Sequence, residues 1–245
     1  IGVSYYSYKA QNYDLSKVAE QHYRNVLLDS DGQELRVERT KFQECITEND
    51  LPQHLVDALI AREDATFESH FGVDFKGLVR ATARNIKDLS FTQGASTISM
   101  QLARNTYDIR AKSLNRKFLE IALTLRIESH YSKGEILAFY LNRIYFGSGC
   151  YGIEQASQKY FGKHTKDLNL SESATLVGII RGPHIFSPLR NLEAATQQRD
   201  QVLERMVAIG RLNQSEAKGI EATPVALKDK SSPTPKSPMA NAYAM

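Results

Sequence analysis

Ile60-Ala61-Arg62-Glu63-Asp64-Ala65-Thr66-Phe67-Glu68-Ser69-His70-Phe71-Gly72 is the stretch around which the chain reads as organised. A helical run over residues 52–61 delivers two adjacent carboxylates, Glu63 and Asp64, to its C-terminal end. The last turn of a helix favours cations, so an acid pair there is locally unfavourable. Local conflicts of this kind tend to mark a site with a task. A solvated helix end is the ordinary reading of Glu-Asp alone. The pair therefore gains meaning only from residues further along the chain.

With 245 residues the chain has room for one large domain, or a main domain with a small lobe. Apolar content of 42% is enough for a sizeable core. A net charge of +3 is too small to argue for a nucleic-acid partner. Cys45 and Cys150 fit no metal-ligand spacing, and read either as two thiols or as one disulfide. No apolar run of 18 residues and no signal peptide is visible. The chain opens at Ile1 without Met and reads as an excised piece, so the lack of an anchor in it says little about the native protein.

Working outward, residues 1–49 read as a Tyr-rich lead-in and a β hairpin, with strands around 25–29 and 34–37 and a turn at Asp31-Gly32. From Asp50 the periodicity is helical. Asp50 is expected to cap a helix with Pro52 in its first turn, and Asp74 to cap a second one. Ser96 is expected to cap a third helix over 97–105. A fourth, over 113–130, shows a stripe of Leu114, Phe118, Ile121 and Leu125. Ser132 and Glu135 form a capping box for a fifth. Further helices are expected near 153–161, 171–180 and 214–220, with a long one capped by Asn191. Residues 223–245 are Pro-rich and read as a linker or tail. The class is mainly α, with the main domain at 50–222.

Three features converge on one chemistry. The first is Glu63-Asp64. The second is the small-residue loop Gln93-Gly94-Ala95-Ser96-Thr97, which runs into a helix start where open amides favour an anion such as phosphate. The third is a cationic segment directly behind it, with Arg104, Arg110, Lys112, Arg116 and Lys117 against the single acid Asp108. Glu120 lies one turn from Arg116, away from the apolar stripe, and could simply pair with it. Carboxylates at one end and cations at the other suit attack of a hydroxyl on a sugar carbon whose leaving group is a phosphate ester. A carboxylate takes the hydroxyl proton and cations neutralise the departing phosphate. A glycoside hydrolase needs two carboxylates but no phosphate cradle.

Five motifs then carry a resemblance. They are Glu63-Asp64-x-x-Phe67-x-x-His70-x-Gly72, the run from Gly94 through Gln101 to Asn105, Arg116-Lys117-x-x-Glu120, Lys133-x-Glu135-Ile136-Leu137-x-x-Tyr140-Leu141-Asn142, and Tyr151-Gly152 through Tyr160-Phe161-Gly162-Lys163 to Pro183 and Pro188. In this order they resemble the peptidoglycan glycosyltransferases, the lysozyme-like transglycosylase domains of class A penicillin-binding proteins and of monofunctional transglycosylases. The resemblance implies a lysozyme-like helical fold with a small membrane-facing lobe, here at about 71–92. It implies Glu63 as the base that deprotonates the acceptor's 4-hydroxyl, and Glu120 as the second essential carboxylate. Ser96, Gln101, Arg104, Lys112, Arg116 and Lys117 would hold the donor's pyrophosphate and sugars. Donor and acceptor would be the lipid-linked glycan chain and lipid II, joined by a β-1,4 bond with inversion.

The implied setting is the outer, periplasmic face of a bacterial cytoplasmic membrane, with a transpeptidase domain or other cell-wall synthesis proteins as partners. No cofactor is required, and a divalent cation, Mg or Mn, could sit at the pyrophosphate. Ala95, Met100, Arg104 and Lys112 depart from the usual pattern. Met100 is the change most able to alter substrate handling. His70 reads as structural and Asp64 as a helper. Ser215-Glu216-Ala217-Lys218 reads as a helix cap, because the companion motifs of a penicillin-binding acylation site are absent. The rival readings are a lysozyme-like hydrolase using Glu63 and a lipid II-binding module without catalysis.

Overall fold

The computed structural model describes residues 2–20, 27–28, 34–35, 45–79, 96–109 and 114–228. It is mainly α. Two N-terminal helices, α1 (Gly2–Gln11) and α2 (Ser16–Ala19), precede the strands β1 (Leu27–Leu28) and β2 (Glu34–Leu35). The strands are antiparallel, with Leu27 opposite Leu35 and Leu28 opposite Glu34, as the expected hairpin requires. Then come α3 (Gln53–Glu63), α4 (Ile98–Thr106), α5 (Leu114–His130), α6 (Lys133–Arg143), α7 (Ile153–Tyr160), α8 (Leu170–Ile179), α9 (Leu192–Ala208) and α10 (Gln214–Glu221).

The core is built around α8. Its residues Ser173 to Ile179 are buried, and it packs on both α3 and α9. Gly178 allows this approach: a Cβ there would stand 2.8 Å from the Gln198 carbonyl carbon of α9. Cys150 is buried and Cys45 is exposed, and no disulfide joins them.

Several helix starts differ from expectation by a residue or two. Pro52, not Asp50, is the N-cap of α3, and Asp50 instead closes a short 3-10 turn, its carboxylate accepting from the Thr47 amide at 2.8 Å. Thr97, not Ser96, caps α4, its hydroxyl accepting from the Met100 amide at 3.1 Å. Asn213, not Ser215, caps α10. In each case the neighbouring residue also carries a side-chain oxygen or a fixed φ, so composition alone does not separate the candidates. Asp74, Ser132 and Asn191 act as expected, with Asp74 accepting from the Gly77 amide at 2.8 Å.

The apolar stripe expected to bury α5 is a larger correction. Phe118 and Leu125 are exposed, whereas Leu119, Ala122, Leu123 and Ile127 form the buried face. Both faces are apolar at helical spacing, and the inner one wins because α4 lies against it. The outer one is left for α1, where the Tyr6 ring stacks on Phe118 with centroids 5.5 Å apart.

This N-terminal segment belongs to the same core, through buried Ala10 and Val18. Its helix-end and turn carbonyls are satisfied from outside: Arg126 donates to Ala10 O and Tyr13 O, and Arg143 to Lys17 O and Glu20 O. The chain after α10 also returns to the body, with the Lys228 amide donating to Tyr160 O at 2.7 Å. The expected lobe is described only to residue 79, and there Phe71, Phe75 and Val79 are all exposed.

Candidate active site

The two acids of the opening stretch part company at the end of α3. Asp64, its C-cap, turns toward the start of α4 and accepts the Ile98 amide at 3.1 Å. The anion that was unfavourable at one helix C-terminus thus sits at another helix N-terminus, where the dipole favours it. His70 Nε2 lies 3.0 and 3.1 Å from the two Asp64 oxygens and holds the turn. Thr97 closes the same corner by donating to Gly72 O at 2.6 Å.

This arrangement corrects one expectation. The Ile98 and Met100 amides, expected to be open to a phosphate, are taken by Asp64 and by the Thr97 hydroxyl. Met100 itself is 1% exposed and packs inward, so its side chain does not line an open site.

Glu63 faces the other way. Its side chain is 9% exposed. Oε2 accepts from Gln101 Nε2 at 3.2 Å, and Gln101 Oε1 accepts from the Tyr140 hydroxyl at 3.1 Å. Tyr140 is fully buried, and burial, then the charge of Glu63, hold its phenol proton well above the usual range. Glu63 Oε1 is buried and makes no hydrogen bond among the described residues. Among the described residues Arg181 comes within ion-pair reach, its Nε 3.8 Å away and its side chain 61% exposed. One oxygen of Glu63 is therefore oriented and the other is left to accept.

The second group gathers on α5. Glu120 is 0% exposed, and Lys117 Nζ donates to its Oε1 at 2.8 Å. Lys117 also donates to the Ser96 hydroxyl at 3.3 Å. The expected Arg116–Glu120 pair is replaced by this Lys117–Glu120 pair, because Arg116 turns to donate to Ile109 O at 3.5 Å. Glu120 Oε2 is buried without a hydrogen bond among the described residues.

The two groups share one support. Ser96 stands just before the N-cap Thr97 of α4 and Gln101 lies in the helix's opening turns. Arg104, half-buried, is one turn beyond Gln101 on the same face. The structure thus brings together Glu63, Gln101, Arg104, Ser96, Lys117 and Glu120 around α4, with Arg116 on the adjoining turn of α5. Lys112 and Ala95 lie outside the described residues.

Beneath this lies a network that spacing did not disclose. Glu128 is buried and accepts from Ser99 Oγ and from Lys133 Nζ, the latter at 2.9 Å. Lys133 also donates to His70 O at 2.9 Å and sits 4.3 Å from the Phe67 ring centre. Gly72, at φ +82°, lies so close that a Cβ would be 2.7 Å from Glu128 Cγ. Arg181 was also missed as a site residue, because only the fold brings the end of α8 to Glu63.

Known proteins share much of this chain. The family profile described as Transglycosylase matches residues 30–207. Penicillin-binding protein 1A of Pseudomonas aeruginosa is 42% identical over 176 residues, which is 72% of this chain and 21% of that one. A Cupriavidus necator protein named as a transglycosylase is 42% identical over 178 residues, 73% of this chain and 77% of that one. Penicillin-binding protein 1A of Aquifex aeolicus is 39% identical over 178 residues, 73% of this chain and 24% of that one. The chain therefore spans only about a quarter or less of the penicillin-binding proteins 1A named here. A crystal structure of the Haemophilus influenzae penicillin-binding protein 1A matches 84% of this chain and 22% of that one at 21% identity and a TM-score of 0.46.

Proposed function

We propose, from the premise that this chain belongs to the transglycosylase family, that it is a peptidoglycan glycosyltransferase joining lipid II units into β-1,4-linked glycan. The observation that carries the reading is Glu63: an oriented, nearly buried carboxylate with one oxygen that no described residue hydrogen-bonds, braced through α4, the same helix whose entry residue Ser96 meets the Lys117–Glu120 pair. The acceptor's 4-hydroxyl oxygen attacks C1 of the donor sugar as the bond from C1 to the diphosphate oxygen breaks. The hydroxyl proton passes to Glu63 Oε1. The electron pair leaves on undecaprenyl pyrophosphate, whose charge Lys117, Arg116 and Arg104 neutralise. Attack from the face opposite the leaving group inverts the anomeric centre.

Glu120 serves by holding Lys117, and Tyr140 by fixing Gln101 and, through it, the orientation of Glu63. Among the described residues no three His, Cys, Asp or Glu side chains converge on a metal position. No step here runs through a metal ion. A cation carried by the substrate's own phosphates belongs to the substrate.

Work at the periplasmic membrane face, with a transpeptidase domain alongside, is in keeping with the names of the longer relatives. Among the described residues no helix is long and apolar enough to cross a membrane. Exposed Phe71, Phe75 and Val79 suit insertion among lipid headgroups. The test supplies labelled lipid II to the parent and to Glu63→Gln. Polymer from the parent alone is expected. Fragments released from mature glycan would point to a hydrolase, and binding without polymer to a scaffold.

A further inference from the structure

A cavity of about 150 Å³ lies between the chain that leads into α3 and the turn that follows α7, and none of its lining residues belongs to the transfer site. Cys45, Ile46 and Asp50 form one wall, and Glu154, His164 and Lys166 the other. Both walls are pinned. Buried Asn142 of α6 accepts from the Ile46 amide at 3.1 Å and donates to Ile46 O at 2.8 Å, so the residue after Cys45 is held on both sides of its backbone. The Asp50 carboxylate accepts from the Thr47 amide and hydroxyl, each at 2.8 Å. Opposite, Glu154 is 7% exposed and accepts from the Thr165 amide at 2.8 Å and the Thr165 hydroxyl at 2.7 Å. The space exceeds what a single water needs, so a small organic group fits.

The side chains at this cavity make the set that activates a thiol: a nucleophile, a base, and a carboxylate that orients the base. Glu154 Oε1 lies 2.7 Å from His164 Nδ1, which favours the tautomer with Nε2 as the basic nitrogen. Burial raises the Glu154 carboxyl, but bonds from Thr165, Gln158 and His164 outweigh it, so the group stays ionised and supports an imidazolium beside it. Lys166 brings a second cation, whose charge reaches Asp50. Lys163, beside His164, is committed to Glu172 at 2.7 Å. Both acids of the cavity already accept from amides and hydroxyls, so a thiolate there meets mainly His164 and Lys166. Cys45 is exposed and reachable by a reagent, whereas Cys150 is buried.

We propose that Cys45 is a thiolation site, which takes up half of a low-molecular-weight disulfide as a mixed disulfide seated in this cavity. The thiol proton passes to His164 Nε2. Cys45 Sγ attacks one sulfur of the small disulfide, and the new S–S bond forms as the reagent's own S–S bond breaks. The electron pair leaves on the second sulfur, which takes the proton back from His164 and departs as a thiol. Cys45 is oxidised and the departing half is reduced, so the small disulfide is the only oxidant required. Glu63 plays no part, and the inference stands or falls apart from the transfer reaction.

The experiment treats the full chain at pH 7 with 2-hydroxyethyl disulfide, a small neutral probe, and follows the adduct on each cysteine by peptide mass spectrometry. It compares the parent, His164→Gln, Lys166→Gln, and the parent unfolded in urea as the reference for an unassisted thiol. The His164 side chain is 55% exposed and Lys166 is exposed, so parent-like melting of both variants is expected and is checked first. Cys45 is expected to react about fivefold or more faster in the folded chain than in urea. His164→Gln is expected to lose most of that gain and to move the pH–rate profile to higher pH, and Lys166→Gln to lose about twofold.

A folded-chain rate no higher than that in urea would overturn the proposal. So would a rate that neither variant changes, because exposure alone would then account for it. Oxidised glutathione, a bulkier disulfide, tests the cavity. The folded chain is expected to prefer the small probe over glutathione about threefold more strongly than the unfolded chain does, since the cavity has room for a small group only. The same preference in both states would place the adduct outside the cavity and sink the assignment.

Discussion

Adjacent acids Glu63 and Asp64 should fail in opposite ways when each loses its charge. Asp64 is a buried carboxylate accepting from the Ile98 amide and facing His70 at hydrogen-bond distance. Hydrogen bonds to a charged group contribute about 1.5–3 kcal/mol each, and Asp64 has two such partners, the Ile98 amide and His70. Asp64→Ala is therefore expected to lose about 3–5 kcal/mol. At about 2–4 °C per kcal/mol for a chain of this size, that is a fall of about 6–20 °C in melting temperature. Glu63 makes one side-chain hydrogen bond, at 3.2 Å, and its other oxygen is buried without one. Glu63→Gln is expected to change stability by about 1 kcal/mol or less, while turnover falls about 10²- to 10⁴-fold. Differential scanning calorimetry and a lipid II polymerisation assay on the same preparations measure both. A stable, active Asp64→Ala beside an unstable, active Glu63→Gln would refute the division of labour read from the geometry.

Single contacts set three further outcomes. Gly72→Ala puts a Cβ 2.7 Å from Glu128 Cγ and 2.8 Å from Thr124 Cγ2 at φ +82°, so a loss of about 2–4 kcal/mol is expected in urea unfolding. Burial raises the Glu154 carboxyl, but bonds from Thr165, Gln158 and His164 outweigh it and leave the group below its ordinary 4.5. Its stabilisation is then fully present above that value and is lost as pH falls through the lower folded value, so Glu154→Gln should flatten the acid limb of a melting-temperature profile. Burial pushes the Cys150 thiol up to about 11, and Cys45 is exposed. Iodoacetamide at pH 8 should label one thiol in the folded chain, identified by mass spectrometry as Cys45, and both thiols in denaturant.

Much of the fold was legible because helix signals here are local. The Ser132–Glu135 box and the Asn191 cap bind amides three residues away, so their meaning is contained in the sequence around them. The inner face of α5 was not legible. Phe118 and Leu119 are adjacent and equally apolar, and only the positions of α4 and α1 decide which is buried. The site divides in the same way. Glu63 stood out as half of an acid pair at a helix C-terminus, whereas the roles of Gln101 and Glu120 came only with the family resemblance. Arg181 and the Glu128–Lys133 pair were not visible, since their partners are brought in by packing between segments that carry no signal of each other. Two amides expected to be open to an anion at the start of α4 are taken for a related reason: Ile98 by Asp64, from another helix, and Met100 by Thr97.

Hydrogen-bond direction along Tyr140, Gln101 and Glu63 has a consequence for the most obvious substitution. A carboxylate can only accept, so it draws the amide nitrogen of Gln101 toward itself and leaves the amide oxygen to the phenol. That relay runs one way. A glutamine placed at position 63 must answer the same nitrogen with its own oxygen, and its amide hydrogens then point into the cleft. The acceptor alcohol would meet a donor where it needs a lone pair, so the swap reverses the polarity of the position as well as discharging it.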